Sequence, residues 1–196
     1  MTLPNKTLLL LAGGYLALSG CGSPVPTEQA DGAAKPAAAA NTDDPIASAM
    51  SAAPDVIAKD AAIVAMSPDG TMKSLRAGTN GFTCMPDNPA TPGPDPMCMD
   101  ANAMKWAEAW IGHKPPPADN VGLMYMFAGG TDASNTDPWG TKPAEGGTWI
   151  ETGPHVMIVG SESLNKQYPS GAKPDTSKPY VMFGGTPYAH MMIPIG

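Results

Sequence analysis

Short segments with strand-like runs of apolar residues follow one another from residue 61 onward, and one longer segment has apolar residues at helical spacing. Strand-like segments are predicted at 61–66, 71–76, 82–84, 121–127, 148–150, 154–159, 180–183 and 188–195. Turns rich in Gly and Pro separate them, such as Ser67-Pro68-Asp69-Gly70 between the first two. Short strands separated by such turns predict a sheet that is mostly antiparallel.

One helix is predicted directly after residue 98. Its apolar face would carry Met99, Ala103, Trp106, Ala107, Trp110 and Ile111. Asp100 is a suitable N-cap, and Gly112 lies where a helix often ends. We therefore predict an α+β fold with a mostly antiparallel sheet and one main helix, in a single domain over 55–196.

The segment before this domain has almost no large apolar residue. Residues 22–54 consist mainly of Ala, Pro, Ser, Thr and Asp, with a run of alanines at 37–40. Such a composition buries too little surface to offset the entropy of ordering. We predict a flexible linker over 21–54, in which 46–53 is the one stretch that favours a weak helix.

The N-terminus has the layout of an export signal. Lys6 precedes an apolar run at 8–17, and Leu18-Ser19-Gly20-Cys21 follows. This resembles the signal peptides of bacterial lipoproteins, whose lipobox reads Leu, Ala or Ser, Gly or Ala, then Cys. An ordinary secretory signal with a chance cysteine is the alternative. A membrane span is disfavoured because the run is shorter than the roughly 20 residues that cross a bilayer.

The resemblance implies that residues 1–20 are a cleaved signal peptide and that Cys21 carries the lipid. Several acyl chains on one cysteine anchor a protein firmly, whereas a single chain is marginal. Gly22 stands where an Asp would imply retention in the inner membrane. The resemblance therefore implies an outer-membrane lipoprotein that faces the periplasm and contacts the membrane through its N-terminal lipid.

The other two cysteines form an even pair in a chain predicted to be exported. Cys84 and Cys98 are predicted to form a disulfide, because disulfides persist in oxidising compartments. Two free buried thiols are the alternative. A zinc site is less favoured because the C-x13-C spacing is not that of metal ligands.

Parts of the mature chain resemble a family of exported bacterial proteins of unassigned function. The stretches that carry the resemblance are 79–84, 96–100, 132–138, 153–155 and 185–190. It implies one intact domain and transfers no catalytic residue.

The charge balance argues against nucleic acid as a partner. The formal net charge is -7, and Arg76 is the only arginine. Proteins that neutralise phosphates need clustered Lys and Arg, whereas the lysines here are scattered singly.

The three histidines are candidate metal ligands. His113 follows the predicted helix, while His155 and His190 lie on two predicted strands and would converge if those strands are neighbours. The chain has 14 methionines, and thioether sulfur favours Cu(I). A copper or other transition-metal site is thus one interpretation. The other is that methionine serves as adaptable core filler.

A polar loop at 129–138 offers a second candidate site. Asp132, Ser134, Asn135 and Asp137 supply oxygen atoms that Ca²⁺ would accept. The same residue types stabilise their own turns, and the spacing is not that of an EF-hand.

No nucleophile elbow, zinc-protease helix, phosphate loop or dinucleotide fingerprint occurs in the sequence. We predict a membrane-anchored domain that binds an unknown ligand or protein partner. A small hydrolase-like enzyme that uses His155 or His190 is the alternative from another class.

Overall fold

The computed structural model describes residues 44–67 and 70–196. The predicted signal peptide, Cys21 and most of the linker lie outside the described residues. The helices are α1 Pro45–Met50, α2 Asp55–Ala58, α3 Ala101–Ile111 and α4 Glu162–Asn165. The strands are β1 Ala62–Met66, β2 Met72–Arg76, β3 Thr83–Met85, β4 Met97–Met99, β5 Gly122–Met126, β6 Gly130–Asp132, β7 Ile150–Thr152, β8 His155–Val159, β9 Tyr180–Met182 and β10 His190–Pro194. None of these helices has the length and apolar character needed to cross a bilayer.

A large sheet organises the described part of the chain. Its eight strands run in the order β2-β1-β3-β4-β5-β8-β10-β9, while β6 and β7 form a separate pair. Strand pairs in the large sheet are antiparallel except for β1 with β3. The predicted α+β class, with a mostly antiparallel sheet and one main helix, is confirmed.

Strand register places most of the methionines on one side of this sheet. Met124, Met157 and Met192 lie directly opposite one another on β5, β8 and β10. Because side chains alternate between the two sides of a strand, their neighbours at even spacing share this side. We call the following set the methionine face: Met85, Met97, Met99, Met124, Met126, Met157, Met182 and Met192.

The opposite side of the sheet holds the disulfide and a second core cluster that is rich in alanine. Cys84 and Cys98 are directly opposite on β3 and β4, with Cα atoms 3.9 Å apart, and their sulfur atoms are bonded. The predicted disulfide is thus confirmed. Alanines from α1, α2 and the turns beside them cover it: Ala49, Ala52, Ala53, Ala58 and Ala61.

Helix α3 is fixed to the methionine side of the sheet at its first turn. As predicted, Asp100 is the N-cap: Oδ1 accepts hydrogen bonds from the backbone N–H groups of Asn102 and Ala103. Oδ2 accepts a third from Leu123 N on β5, at 3.1 Å. Gly122 allows this close approach, because a Cβ there would lie 2.2 Å from Ala103 N.

Three elements differ from the sequence-based predictions. Met97–Met99 forms strand β4, which was not predicted, so Met99 belongs to the sheet and not to the apolar face of the helix. Gly130–Asp132 pairs with β7 within the predicted polar loop. Helix α1 overlaps the 46–53 stretch that was predicted to favour a helix, but it is packed and not part of a flexible linker: Asp44 caps it and Ala49 is fully buried. Packing therefore begins before residue 55, because alanine can fill a close contact without a large side chain.

Candidate functional site

A cavity of about 660 Å³ lies between the methionine face and the elements that cover it. On one side, α3 contributes Trp106, Ala107 and Trp110. Two loops, 86–96 and 131–141, close the remaining sides. Small-molecule sites are typically concave, of about 300–1,000 Å³, and mostly apolar with a few polar groups. This cavity has that size and lining.

The first loop is held in place by its own polar groups. Asp95 Oδ1 accepts from Asn88 N at 2.8 Å, and Oδ2 accepts from Thr91 Oγ1 at 2.7 Å. The N–H of Asp95 donates to Asp87 Oδ1 at 2.7 Å. The disulfide closes the base of this loop, whose prolines further restrict it. The wall of the cavity is therefore largely preformed.

The second loop is anchored to both the helix and the first loop. Trp110 Nε1 donates to the carbonyl of Pro138 at 2.8 Å. Gly93 of the first loop rests on Thr131, so closely that a Cβ at this glycine would lie 2.3 Å from Thr131 Oγ1. These contacts bring Asp132 of β6 to the cavity beside Asp95.

The two carboxyl groups differ in their hydrogen bonding. Burial raises the pKa of Asp95 to about 6, despite the hydrogen bonds from Thr91 and Asn88. Burial, with the nearby charge of Asp95, raises the pKa of Asp132 to about 7. Within the described residues, the side chain of Asp132 accepts no hydrogen bond. Asp132 therefore has acceptor capacity that the protein itself leaves unused.

His190 provides a second open acceptor in the cavity. Its Nδ1 lies 2.9 Å from the carbonyl oxygen of Tyr188 and donates to it, which leaves Nε2 unprotonated. Trp106 and Phe183 contact the ring edge-on, with centroids 5.1 and 5.4 Å away. Burial lowers the pKa of His190 to about 4, so the imidazole is neutral at physiological pH.

The other two histidines lie elsewhere. His155 Nδ1 donates to the Gly153 carbonyl at 2.7 Å, and its buried Nε2 has no hydrogen-bond partner among the described residues. Burial lowers the pKa of His155. His113 is exposed and stacks on Trp139, with centroids 4.6 Å apart.

The strands of His155 and His190 are neighbours, as the metal hypothesis required, but the two residues are not opposite one another. His155 pairs with Pro194, four residues beyond His190. Within 44–67 and 70–196, no group of three or more His, Cys, Asp or Glu side chains is placed to hold a metal ion.

The residues of the predicted calcium loop mainly form turns. Ser134 Oγ accepts from the backbone N–H groups of Thr136 and Asp137, and Asp137 Oδ1 accepts from Trp139 N. Asn135 is buried and donates to the Gly171 and Val181 carbonyls. Asp132, Ser134 and Asp137 also line the cavity.

Sequence reasoning missed the methionine face and Asp95. The signal was present in Met97-x-Met99 and Met124-x-Met126, where methionine alternates with other residues. Only the strand register shows that these pairs share one side of the sheet.

The chain matches no protein-family model, no curated protein and no solved structure.

Asp132→Asn should stabilise the protein more at pH 8 than at pH 5. The folded state keeps a proton on Asp132 up to about pH 7, whereas the unfolded chain releases it near pH 4. Folding therefore binds a proton over this range, and the contribution of Asp132 to stability falls as pH rises. Asn does not titrate, so the difference in unfolding free energy between variant and parent should grow by on the order of 2 kcal/mol.

Urea denaturation at both pH values measures this difference. Asp119→Asn is the matched control, because it makes the same charge change on an exposed residue away from the cavity. The titration of His155 and His190 affects parent and variant alike and cancels. A difference for Asp132→Asn that stays constant between pH 5 and pH 8 would contradict the assignment.

Proposed function

We propose that this protein is an exported bacterial lipoprotein whose domain binds a small, largely apolar molecule in the methionine-lined cavity. The observation that carries the proposal is the cavity of about 660 Å³. It combines an apolar floor with two open polar groups, on Asp132 and His190. Such a combination is typical of small-molecule sites, in which a few polar groups orient an apolar ligand.

Methionine suits this role better than a branched aliphatic residue. Its unbranched side chain has three rotatable bonds and a polarisable sulfur, so it adapts to ligands of different shape. The central residues Met124 and Met192 are almost completely buried. A ligand would therefore be accommodated by rotation of these side chains, without movement of the sheet.

The proposed location is the periplasmic side of the outer membrane. The support is the lipobox at 18–21 together with the Cys84–Cys98 disulfide, a bond that persists outside the reducing cytoplasm. The linker before α1 would connect the lipid-modified Cys21 flexibly to the binding domain.

A Cu(I) site is the second candidate. Met124, Met157 and Met192 are adjacent across three strands and line the cavity together with His190, whose Nε2 is unprotonated. Thioether and imidazole are ligands that Cu(I) accepts. It ranks second because the cavity is far larger than one ion requires.

The hydrolase-like alternative has less support. Of the two histidines proposed for it, His190 lines the cavity. Its Nδ1 is bonded to a backbone carbonyl rather than to a carboxylate, so the usual orienting acid of a triad is not in place.

Ala133→Phe should weaken the binding of the uncharged fluorescent probe N-phenyl-1-naphthylamine by at least about tenfold. Ala133 lines the cavity on a loop and is only partly buried, so a larger side chain there would occupy cavity volume without overpacking the core. Fluorescence titration measures the affinity, and thermal melting checks the fold.

Ala144→Phe adds the same group on an exposed loop that does not line the cavity, and it should bind the probe like the parent. Equal affinity in parent, Ala133→Phe and Ala144→Phe would place the probe elsewhere and overturn the proposal.

Cys21→Ser should release the protein from the membrane. Serine cannot take the thioether-linked lipid that the lipobox resemblance implies, so fractionation should move the protein from the outer-membrane fraction to the soluble periplasm or leave it as unprocessed precursor. Radiolabelled fatty acid should be incorporated by the parent and not by the variant. Unchanged processing and membrane association of Cys21→Ser would disprove lipid anchoring at this residue.

A further inference from the structure

The charged residues around the cavity are all of one sign. Its lining contains four aspartates and, within the described residues, neither Lys nor Arg. The aspartates are Asp87, Asp95, Asp132 and Asp137. In a partly enclosed site, like charges raise the local potential and repel a ligand of the same sign. A fatty acid or a phosphate ester would therefore enter unfavourably.

Two groups of the cavity can only accept hydrogen bonds, although the lining also carries donors on Asn88, Thr131, Thr141 and Trp149. Asp132 receives no hydrogen bond, and His190, which is 3% exposed, presents an unprotonated Nε2 without a partner among the described residues. Trp106 Nε1 is an unpaired donor, but it is fully enclosed and does not reach the cavity surface. A ligand that pairs with Asp132 and His190 must therefore bring donors.

Asp95 and Asp132 are neighbours in the cavity but differ in their free acceptor capacity. Both of its carboxyl oxygens already accept hydrogen bonds within the first loop, so its charge is held in place while its acceptor capacity is largely used. Asp132 lies close enough for the charge of Asp95 to raise its pKa. Asp95 therefore has a fixed negative charge and little free acceptor capacity, whereas Asp132 has a carboxyl group that is free to accept.

The remaining lining suits the body of an organic cation. Trp110, Phe183 and Trp149 add aromatic rings to the thioethers of the methionine face. Aromatic faces attract a cationic group through their quadrupole, and thioethers pack well against alkyl chains.

We infer that the cavity selects an organic ammonium ion: an apolar alkyl or aryl body with a protonated amine that donates to Asp132 and lies near His190. This inference rests on the proposed function, because it requires the cavity to be the ligand site. The inference specifies that the ligand is positively charged and donates hydrogen bonds, two properties that the apolar lining alone does not determine.

The test compares probes with the same ten-carbon tail and different head groups. Decylammonium is cationic with N–H donors, decyltrimethylammonium is cationic without donors, decyl maltoside is neutral, and decyl sulfate is anionic. Each displaces N-phenyl-1-naphthylamine from the full chain carrying Cys21→Ser, at concentrations below micelle formation. At pH 8, above the pKa values of Asp95 and Asp132, both carboxyl groups are ionised.

Decylammonium should bind at least about tenfold more tightly than decyl maltoside, because a hydrogen bond between charged groups is stronger than one from a neutral donor. Decyltrimethylammonium should rank between them, and decyl sulfate should bind most weakly. Asp132→Asn should bring decylammonium close to the neutral probe and leave decyl maltoside unchanged. Asp119→Asn, the exposed control, should preserve the ranking.

The outcomes separate the two proposals. Failure of every probe, including the neutral one, would overturn the proposed function. Binding of decyl maltoside without preference for decylammonium, or an equal loss in Asp119→Asn and Asp132→Asn, would overturn the ammonium inference alone. If Asp132→Asn does not fold, the ranking of the four head groups on the parent chain still decides the question.

Discussion

The main constraint on this structure is that helix α3 is too short to cover the whole sheet. Helix α3 has 11 residues and spans about 16 Å, whereas the eight strands of the sheet extend over about 34 Å. Asp100 and Gly122 fix its first turn to β5, the fifth of the eight strands, so the helix cannot shift towards either edge of the sheet. Two loops must cover the remainder of the methionine face, and the space between them and the sheet is the cavity.

The two sides of the sheet meet different requirements. On the disulfide side, alanines pack closely around a cross-strand disulfide in a core that is not a ligand site. On the other side, long flexible thioethers face a space that they do not fill. Asp132, which is partly buried, and Nε2 of His190 receive no hydrogen bond from the described residues. A ligand that supplies a donor would pair with these acceptors.

Local signals in the sequence were sufficient for the elements with strong chemistry. The N-cap at Asp100, the helix end at Gly112 and the disulfide pair follow from residue types at defined spacings. Strand β4 was harder, because three residues are too few to show alternation and Met99 also fits the apolar face of α3. Helix α1 was assigned to the linker because alanine-rich composition does not distinguish a disordered segment from one that packs closely.

The site depends on contacts between residues that are distant in the chain. The histidines could be proposed as ligands from the sequence because imidazole binds metals, but of the three only His190 lines the cavity. Asp95 lies in a proline-rich loop that carries no recognisable motif, so the sequence did not indicate it as a site residue. Its proximity to Asp132 depends on the contact between Gly93 and Thr131. The methionine face exists only through the register of β5, β8 and β10.

NMR of the methionine methyl groups tests the central claim most directly. The chain has 14 such groups, and titration with decyl maltoside should shift the signals of Met124, Met157 and Met192. Met50 and Met191 do not line the cavity, and their signals should stay in place. Shifts confined to Met50 and Met191, or a spectrum that does not change while the probe binds, would contradict a ligand site on the methionine face.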